Sequence, residues 1–151
     1  KSLRVYLDPI ILRNEFFFPS PHSMSTLGID FGWRKVGLAK ATAGTPAVPL
    51  AILANRGQRV LLRQLSELCA NERITEIVVG MPLALTGGVT DGAAKVREFS
   101  DSLRQATGLP VHVQDERLST KMAQRISRGM RGEDDATAAM LILQSWLDRQ
   151  R

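Results

Sequence analysis

The acidic residues that could carry chemistry in this chain stand where apolar segments end. Asp30 closes the apolar segment 27–30, Glu116 follows the predicted strand 111–114, and Asp135 opens the last helical pattern. A carboxylate at the end of a buried element is costly unless it is paired or binds a cation. If the three met at one sheet edge, their oxygens would suit Mg²⁺ or Mn²⁺.

Each acid also has a simpler structural interpretation. Asp30 can cap the tight turn that follows it, and Asp134 and Asp135 can be first-turn acids that suit the dipole of a helix. Asp135 differs from Asp134 because it begins an apolar stripe, which consists of Ala136, Ala139, Met140, Leu143, Trp146 and Leu147. The two alanines would let the first helical turn lie close to the sheet, near the end of the first strand.

Composition limits the class of protein. The chain has 151 residues, 44% of them hydrophobic, which suits one domain with a real core. The lone cysteine, Cys69, excludes an internal disulfide and a cysteine-based zinc site, and we expect it in the core of a cytoplasmic protein. The net charge of +5 favours a polyanionic partner such as nucleic acid. No apolar run approaches the length of about 18 residues that a membrane span needs, so we expect no membrane partner.

Residues 1–23 fit the rest of the sequence poorly. They lack the basic start, apolar run and small-residue cleavage site of a signal peptide. We interpret them as an N-terminal extension or an expression remnant, and we assign the folded domain to 24–151.

The hydrophobic pattern predicts three strands joined by short turns, followed by alternating helices and strands. Pro49 in the third strand suits a sheet edge. The order βββαβαβαα predicts an α/β domain with a mixed sheet. The predicted strands are 27–30, 36–42, 47–54, 74–80 and 111–114, and the predicted helices are 58–71, 91–107, 119–128 and 135–149.

Four segments follow one another along the chain: GIDFGWRKVGLA, IVVGMPLALTGG, VQDERLST and DDATAAMLILQSWL. Together and in this order they resemble the YqgF/RuvX family of Holliday-junction resolvases, which belongs to the RNase H-like superfamily. The resemblance covers nearly all of 24–151. It implies a five-stranded mixed sheet in the order 3-2-1-4-5, with strand 2 antiparallel and helices on both faces. It also implies an acidic catalytic site at Asp30, Glu116 and Asp135.

The implied chemistry is metal-dependent phosphodiester hydrolysis with two Mg²⁺ or Mn²⁺ ions about 3.5–4 Å apart. Asp30 would bridge both ions, with Glu116 and Asp135 each completing one side. The substrate would be branched DNA, single-stranded DNA or the 5′ end of precursor small-subunit ribosomal RNA.

Two other functions remain open. The first is a non-catalytic ribosome-biogenesis or nucleic-acid-binding module. The second is an ATPase of the actin and sugar-kinase type, because the segment GIDFGWRKVG resembles the phosphate-binding hairpin of those enzymes. Such ATPases need two domains, and this chain has one.

One departure from the wider superfamily concerns the second acid. Related nucleases often carry it on the fourth strand, but here that strand ends in VVGMPLAL, without an acid. Glu116 lies on the next strand, two strand spacings or roughly 9–10 Å from the first. Asp115 is its rival, because neighbouring residues on a strand face opposite sides. Val111 and Val113 share the face of Asp115, so Glu116 shares the other.

Several residues are candidates for contacts with nucleic acid. In the glycine-rich loop 80–92, Thr86 and backbone N–H groups could bind a phosphate, although an ordinary loop is equally expected. We also expect six basic residues to contact phosphates, although each could instead be a solvent-exposed residue without a ligand. They are Arg34, Lys35, Arg117, Arg125, Arg128 and Arg131.

The assembly is expected to be a weak homodimer, because symmetric cutting of a junction needs two active sites. Trp33 could stack on a base or serve the dimer. The exposed apolar residues expected to form the dimer patch are Trp33, Met81, Leu83, Leu85 and Met130. A monomer would suit a nuclease that trims single strands.

Overall fold

The computed structural model describes residues 24–81, 91–115 and 135–151. The predicted extension 1–23 and the predicted helix 119–128 lie outside these ranges. The described strands are β1 (Ser25–Asp30), β2 (Lys35–Thr42), β3 (Val48–Ala54), β4 (Glu76–Met81) and β5 (Val111–Asp115). The described helices are α1 (Gln58–Asn71), α2 (Asp91–Thr107) and α3 (Asp135–Arg149).

The strands form one five-stranded sheet in the order β3-β2-β1-β4-β5. β1 and β3 each pair antiparallel with β2, whereas β1–β4 and β4–β5 are parallel pairs. Short turns can join only antiparallel neighbours, and the parallel pairs need the helical crossovers. The predicted sheet order and the direction of strand 2 are confirmed.

The bounds of β4 differ from the prediction of 74–80. Ile74 is buried, as its apolar character indicated, but its N–H donates to the carbonyl oxygen of Cys69 at 2.9 Å in the turn that ends α1. Arg73 adopts a positive φ of 55° in this turn. The strand therefore begins at Glu76, after the chain has reversed direction.

Two cores form on opposite faces of the sheet, because successive strand residues alternate in direction. Leu27 and Ile29 of β1 pack with α1 and with Phe99 of α2 in the first core. Val78 of β4 packs with α3, including Ala139, in the second core. Cys69 is buried in the first core, as predicted.

α3 lies across β1 in the opposite direction to the strand. Near the middle of β1, Gly28 lies against Ala139 and Leu143. At the N-terminal end of β1, Thr26 lines the same surface cleft as Leu147, which is further along α3. The helix therefore begins at the sheet edge where β1 ends. No helix in the described part of the chain is long and apolar enough to cross a membrane.

The apolar surface of α3 is wider than the predicted stripe. Ala136, Ala139 and Leu143 are buried as expected, but Leu141 and Ile142 are buried as well. Ile142 belongs to the second core, which includes residues of β2 and the chain before β3. The helix covers several strands at once, so a single narrow stripe underestimates its buried face.

Candidate active site

Asp30 is the last residue of β1 and lies on the sheet face covered by α3. Strand alternation accounts for this placement, since Leu27 and Ile29 point into the first core and Gly28 points at α3. The side chain is half-buried. Its strand partners in the register are Gly37 on β2 and Gly80 on β4. Neither of these two neighbours therefore contributes a side chain beside the Asp30 carboxylate.

On β5, the residue level with Asp30 is Gln114, which pairs with Gly80. Gln114 is 5% exposed, and its Nε2 donates to Oγ of Ser145 on α3 at 3.5 Å. His112, two residues earlier, stacks on Trp146 of α3 with ring centroids 5.1 Å apart. The even-numbered residues of β5 therefore face α3, the same side as Asp30.

This alternation bears on the choice between Asp115 and Glu116. Val111 packs into the first core, on the side away from α3, and strand alternation predicts the same side for Asp115, four positions later. Glu116 lies outside the described residues. It stands two positions after Gln114 in the sequence, so alternation predicts the side of Gln114 for it. The strand order puts β5 two spacings from β1, as expected, or about 9–10 Å. Sequence reasoning did not single out Gln114, although an amide just before an acidic pair was visible in VQDE.

The structure describes Asp135 as the first residue of α3. Ala136 and Ala139 in the turns that follow are 5% and 0% exposed, so the small residues do bring this helix onto the sheet. Given the direction of α3 over β1, Asp30 and the start of α3 lie at one edge and on one face. Among the described residues, no three His, Cys, Asp or Glu side chains are grouped to hold a metal. The three-carboxylate site stays a prediction that depends on Glu116 and the side chain of Asp135.

The hairpin between β1 and β2 carries Arg34 and Lys35, both exposed. A side chain at Gly32 would collide with the carbonyl oxygen of Lys35, so this turn requires glycine. Asn55 braces the hairpin, because its Nδ2 donates to the Gly32 carbonyl at 2.9 Å and its backbone N–H donates to the Arg34 carbonyl at 2.8 Å. Asn55 thus holds the backbone of the hairpin beside the end of β1, and this hairpin carries Arg34 and Lys35, which are predicted to contact phosphates.

The other predicted contacts lie outside the described residues: Thr86, Arg117, Arg125, Arg128 and Arg131. Of the expected dimer patch, Trp33 is 62% exposed, which confirms its exposure. Met81 is half-buried and packs against the first core, so its assignment to an exposed patch is wrong. The burial follows from its place at the end of a central strand. Leu83, Leu85 and Met130 lie outside the described residues.

Comparison with known protein families shows which family this chain belongs to. The model of the family described as RuvX, Holliday junction resolvase, matches residues 24–149. The chain belongs to the RuvX family. Curated relatives include a protein of Rickettsia typhi, 34% identical over 126 residues that cover 78% of this chain and 81% of that protein. A protein of Maridesulfovibrio salexigens is 36% identical over 134 residues, or 83% and 99% of the two chains. Both carry the name "Putative pre-16S rRNA nuclease".

Solved structures relate this RuvX-family chain to RuvC by fold. RuvC of Thermus thermophilus superposes with a TM-score of 0.57 at 15% identity, over 84% of this chain and 96% of that one. Fowlpox virus resolvase, solved with Holliday junction DNA, superposes with a TM-score of 0.51 at 14% identity, over 84% and 99%. The predicted RNase H-like fold is confirmed.

Proposed function

We propose that this chain is a divalent-metal-dependent nuclease that hydrolyses phosphodiester bonds in the manner of a Holliday-junction resolvase. One structural observation carries the proposal. Asp30 ends a central strand between Gly37 and Gly80, on the face and at the edge where α3 begins with Asp135. Membership of the RuvX family supports nuclease chemistry at this edge.

The donor set suits a hard cation. Carboxylate oxygens are the ligands that Mg²⁺ and Mn²⁺ prefer, and the two strand neighbours of Asp30 are glycines, which add no side chain beside it. Asp30 would hold two ions together, with Glu116 and Asp135 each binding one. Bound there, such ions would activate a water and stabilise the leaving oxygen.

The residues of the chain itself position the substrate. Arg34 and Lys35, exposed on the hairpin whose backbone Asn55 braces, would pair with phosphates next to the scissile bond. Thr86, Arg117, Arg125, Arg128 and Arg131 would extend this contact along the backbone. The reducing cytoplasm is the proposed compartment, consistent with the free, buried thiol of Cys69.

A second candidate substrate is precursor ribosomal RNA, which the names of the curated relatives favour. The two substrates make different demands. A four-way junction has approximate two-fold symmetry and needs two active sites, whereas one site is enough to process the end of an RNA. A homodimer therefore belongs to the junction proposal, and a monomer suits RNA processing.

The deciding experiment measures cleavage of a four-way junction, a single-stranded DNA and an RNA, each with and without Mn²⁺. We expect metal-dependent cleavage by the parent and a loss of at least about 10²-fold in Asp30→Asn. Asp148→Asn is the matched control, because this exposed carboxylate lies near the far end of α3 and accepts a bond from Gln144 that an amide can also accept.

Two outcomes would count against the proposal. Parental rates in Asp30→Asn would exclude this residue from the site. A parent that binds all three nucleic acids but cuts none of them in the presence of Mn²⁺ would favour the non-catalytic binding module.

A further inference from the structure

A second feature of the hairpin lies on the sheet face opposite α3. A cleft of about 370 Å³ opens there between the hairpin, the start of α1 and one side of α2. Phe31 belongs to this face because it packs against the first core, which α1 and α2 cover. The cleft is therefore separate from the space beside Asp30, although both adjoin the end of β1.

The base of the cleft is aromatic. Phe31 packs on Phe99 of α2 with ring centroids 4.5 Å apart, and the Trp33 ring meets Phe31 edge-on at 6.4 Å. Trp33 remains 62% exposed, although Nζ of Lys95 lies 4.0 Å from the centroid of its ring. Trp33 is thus an exposed indole with an ammonium group over its ring, and this pair suits a flat aromatic ligand that carries negative charge.

The walls of the cleft carry hydrogen-bonding groups. Gln58 supplies an amide and Glu98 an exposed carboxylate, whereas the Asn55 amide is used within the chain: its Nδ2 donates to the Gly32 carbonyl and its Oδ1 accepts from the Gly57 N–H. Gln58 is held in place because its Nε2 donates to Oγ of Ser102 at 2.9 Å, which joins α1 to α2. Amide and carboxylate groups match the donors and acceptors on the edge of a nucleobase.

Among the described residues, the lining of the cleft holds one cation, Lys95, and one anion, Glu98. Arg34 and Arg56 are exposed sequence neighbours of the lining residues Trp33, Asn55 and Gly57, and they add positive charge to this end of the molecule. The phosphate of a nucleotide whose base is bound in the cleft could therefore pair with Lys95.

We propose that this cleft binds one unpaired nucleotide of the substrate strand, with its base stacked on Trp33 and its phosphate paired with Lys95. The proposal rests on the proposed function, since it assigns a binding subsite to the same hairpin. Trp33 is three residues from Asp30, so the chain separates them by at most about 10–11 Å. A strand that crosses the hairpin would leave one nucleotide near Asp30 and place another in the cleft.

The nucleotide must be unpaired. Within a duplex, both faces of a base are covered by its neighbours and its edge is paired, so Trp33 could not stack on it. A single strand, or a base turned out of a branch point, presents a free face and edge. The cleft therefore selects for single-stranded character next to the scissile phosphate.

Fluorescence without divalent metal tests the contact directly and independently of cleavage. In Trp146→Phe, Trp33 is the sole indole of the chain. We expect a single-stranded oligonucleotide to quench its emission and the matched duplex to leave it nearly unchanged. Trp33→Phe, which retains only Trp146 in its stack with His112, is the control and should show little quenching.

Affinity for the same single strand gives the second measurement. We expect Trp33→Ala to weaken binding about 5- to 150-fold, the range for loss of one stacked base, and Trp33→Phe to recover part of the loss. Lys95→Gln should lower the slope of log affinity against log salt by about 0.7. Arg151→Ala, just after the C-terminal end of α3 and outside the lining of the cleft, controls for loss of one positive charge.

Unchanged affinity in Trp33→Ala, or the absence of quenching, would overturn the proposal. If Trp33→Ala instead abolished a dimer in sedimentation and bound the oligonucleotide normally, the occupant would be a second copy of the chain. Failure of the parent to cleave with Mn²⁺ would contradict the proposed function alone, because binding in the cleft is measured without metal.

Discussion

Gly28 of β1 and Ala139 of α3 are so close that a Cβ atom on Gly28 would lie 2.9 Å from the Ala139 carbonyl oxygen. The same atom would lie 2.7 Å from Cβ of Leu143. Neither the carbonyl nor a Cβ can rotate away, so the helix would have to move. This contact sets the height of α3 above β1, and thereby the distance between Asp30 and the start of the helix.

Gly28→Ala should therefore impair both stability and cleavage. We expect the free energy of unfolding to fall by about 1–3 kcal/mol, the usual cost of an overpacked core. Displacement of α3 should also lower the rate of metal-dependent cleavage at temperatures where the variant is fully folded. Denaturant unfolding and a cleavage assay on the same sample measure the two effects.

Gly44→Ala is the matched control for this variant. Gly44 has a φ of +82° and no atom within 4 Å of a built Cβ, so alanine there costs only backbone strain, about 1–2 kcal/mol. It lies in the turn after β2, at the sheet end away from Asp30. A similar loss of cleavage in both variants would mean that the Gly28 contact does not position the site.

The predicted arginine cluster can be tested by salt dependence. Replacement of Arg125, Arg128 and Arg131 with alanine should weaken binding to all nucleic-acid sequences. It should also lower the slope of log affinity against log salt by about 2–3, because phosphate contacts release counterions. The double variant Arg149→Ala/Arg151→Ala, which removes two positive charges elsewhere in the chain, controls for loss of surface charge. A triple variant with the parental slope would show that these arginines are solvated surface.

Cys69 makes stability depend on pH in alkaline solution. Burial raises the pKa of the Cys69 thiol from 9.0 to about 11. Between these values the unfolded chain binds fewer protons than the folded one, so the free energy of unfolding should fall as the pH rises from about 9 to about 11. Unfolding of the parent and of Cys69→Ala across this range measures the difference. Parallel pH profiles would contradict a protonated buried thiol.

The oligomeric state separates the two candidate substrates. We expect a weak homodimer that becomes the main species on a four-way junction, because two active sites must act across its symmetry. Sedimentation at micromolar protein, with and without the junction, measures this. A chain that stays monomeric on the junction would exclude symmetric resolution and favour processing of single-stranded RNA or DNA.

Residue spacing alone predicted most of the fold. Short apolar segments and helical periods marked all eight described elements, because burial imposes these patterns on a chain that forms strands and helices. Pro49 indicated an edge strand, and β3 is at the edge. The strand order came from the family resemblance carried by four motifs, and the bounds of β4 failed where Ile74 is buried in a turn rather than in the ladder.

For the site, the sequence supplied the acidic residues and the parity that favours Glu116 over Asp115. Only the tertiary structure showed that Gly37, Gly80 and Gln114 stand level with Asp30, because strand register depends on contacts between segments far apart in the chain. The aromatic cleft was equally beyond the sequence. The cleft brings Trp33 together with Lys95 and Phe99. From the sequence, the helical period of α2 predicts only that Lys95 is on its exposed side and Phe99 on its buried side. A local pattern records which way a side chain points along its own element, and the packing of elements decides what it meets.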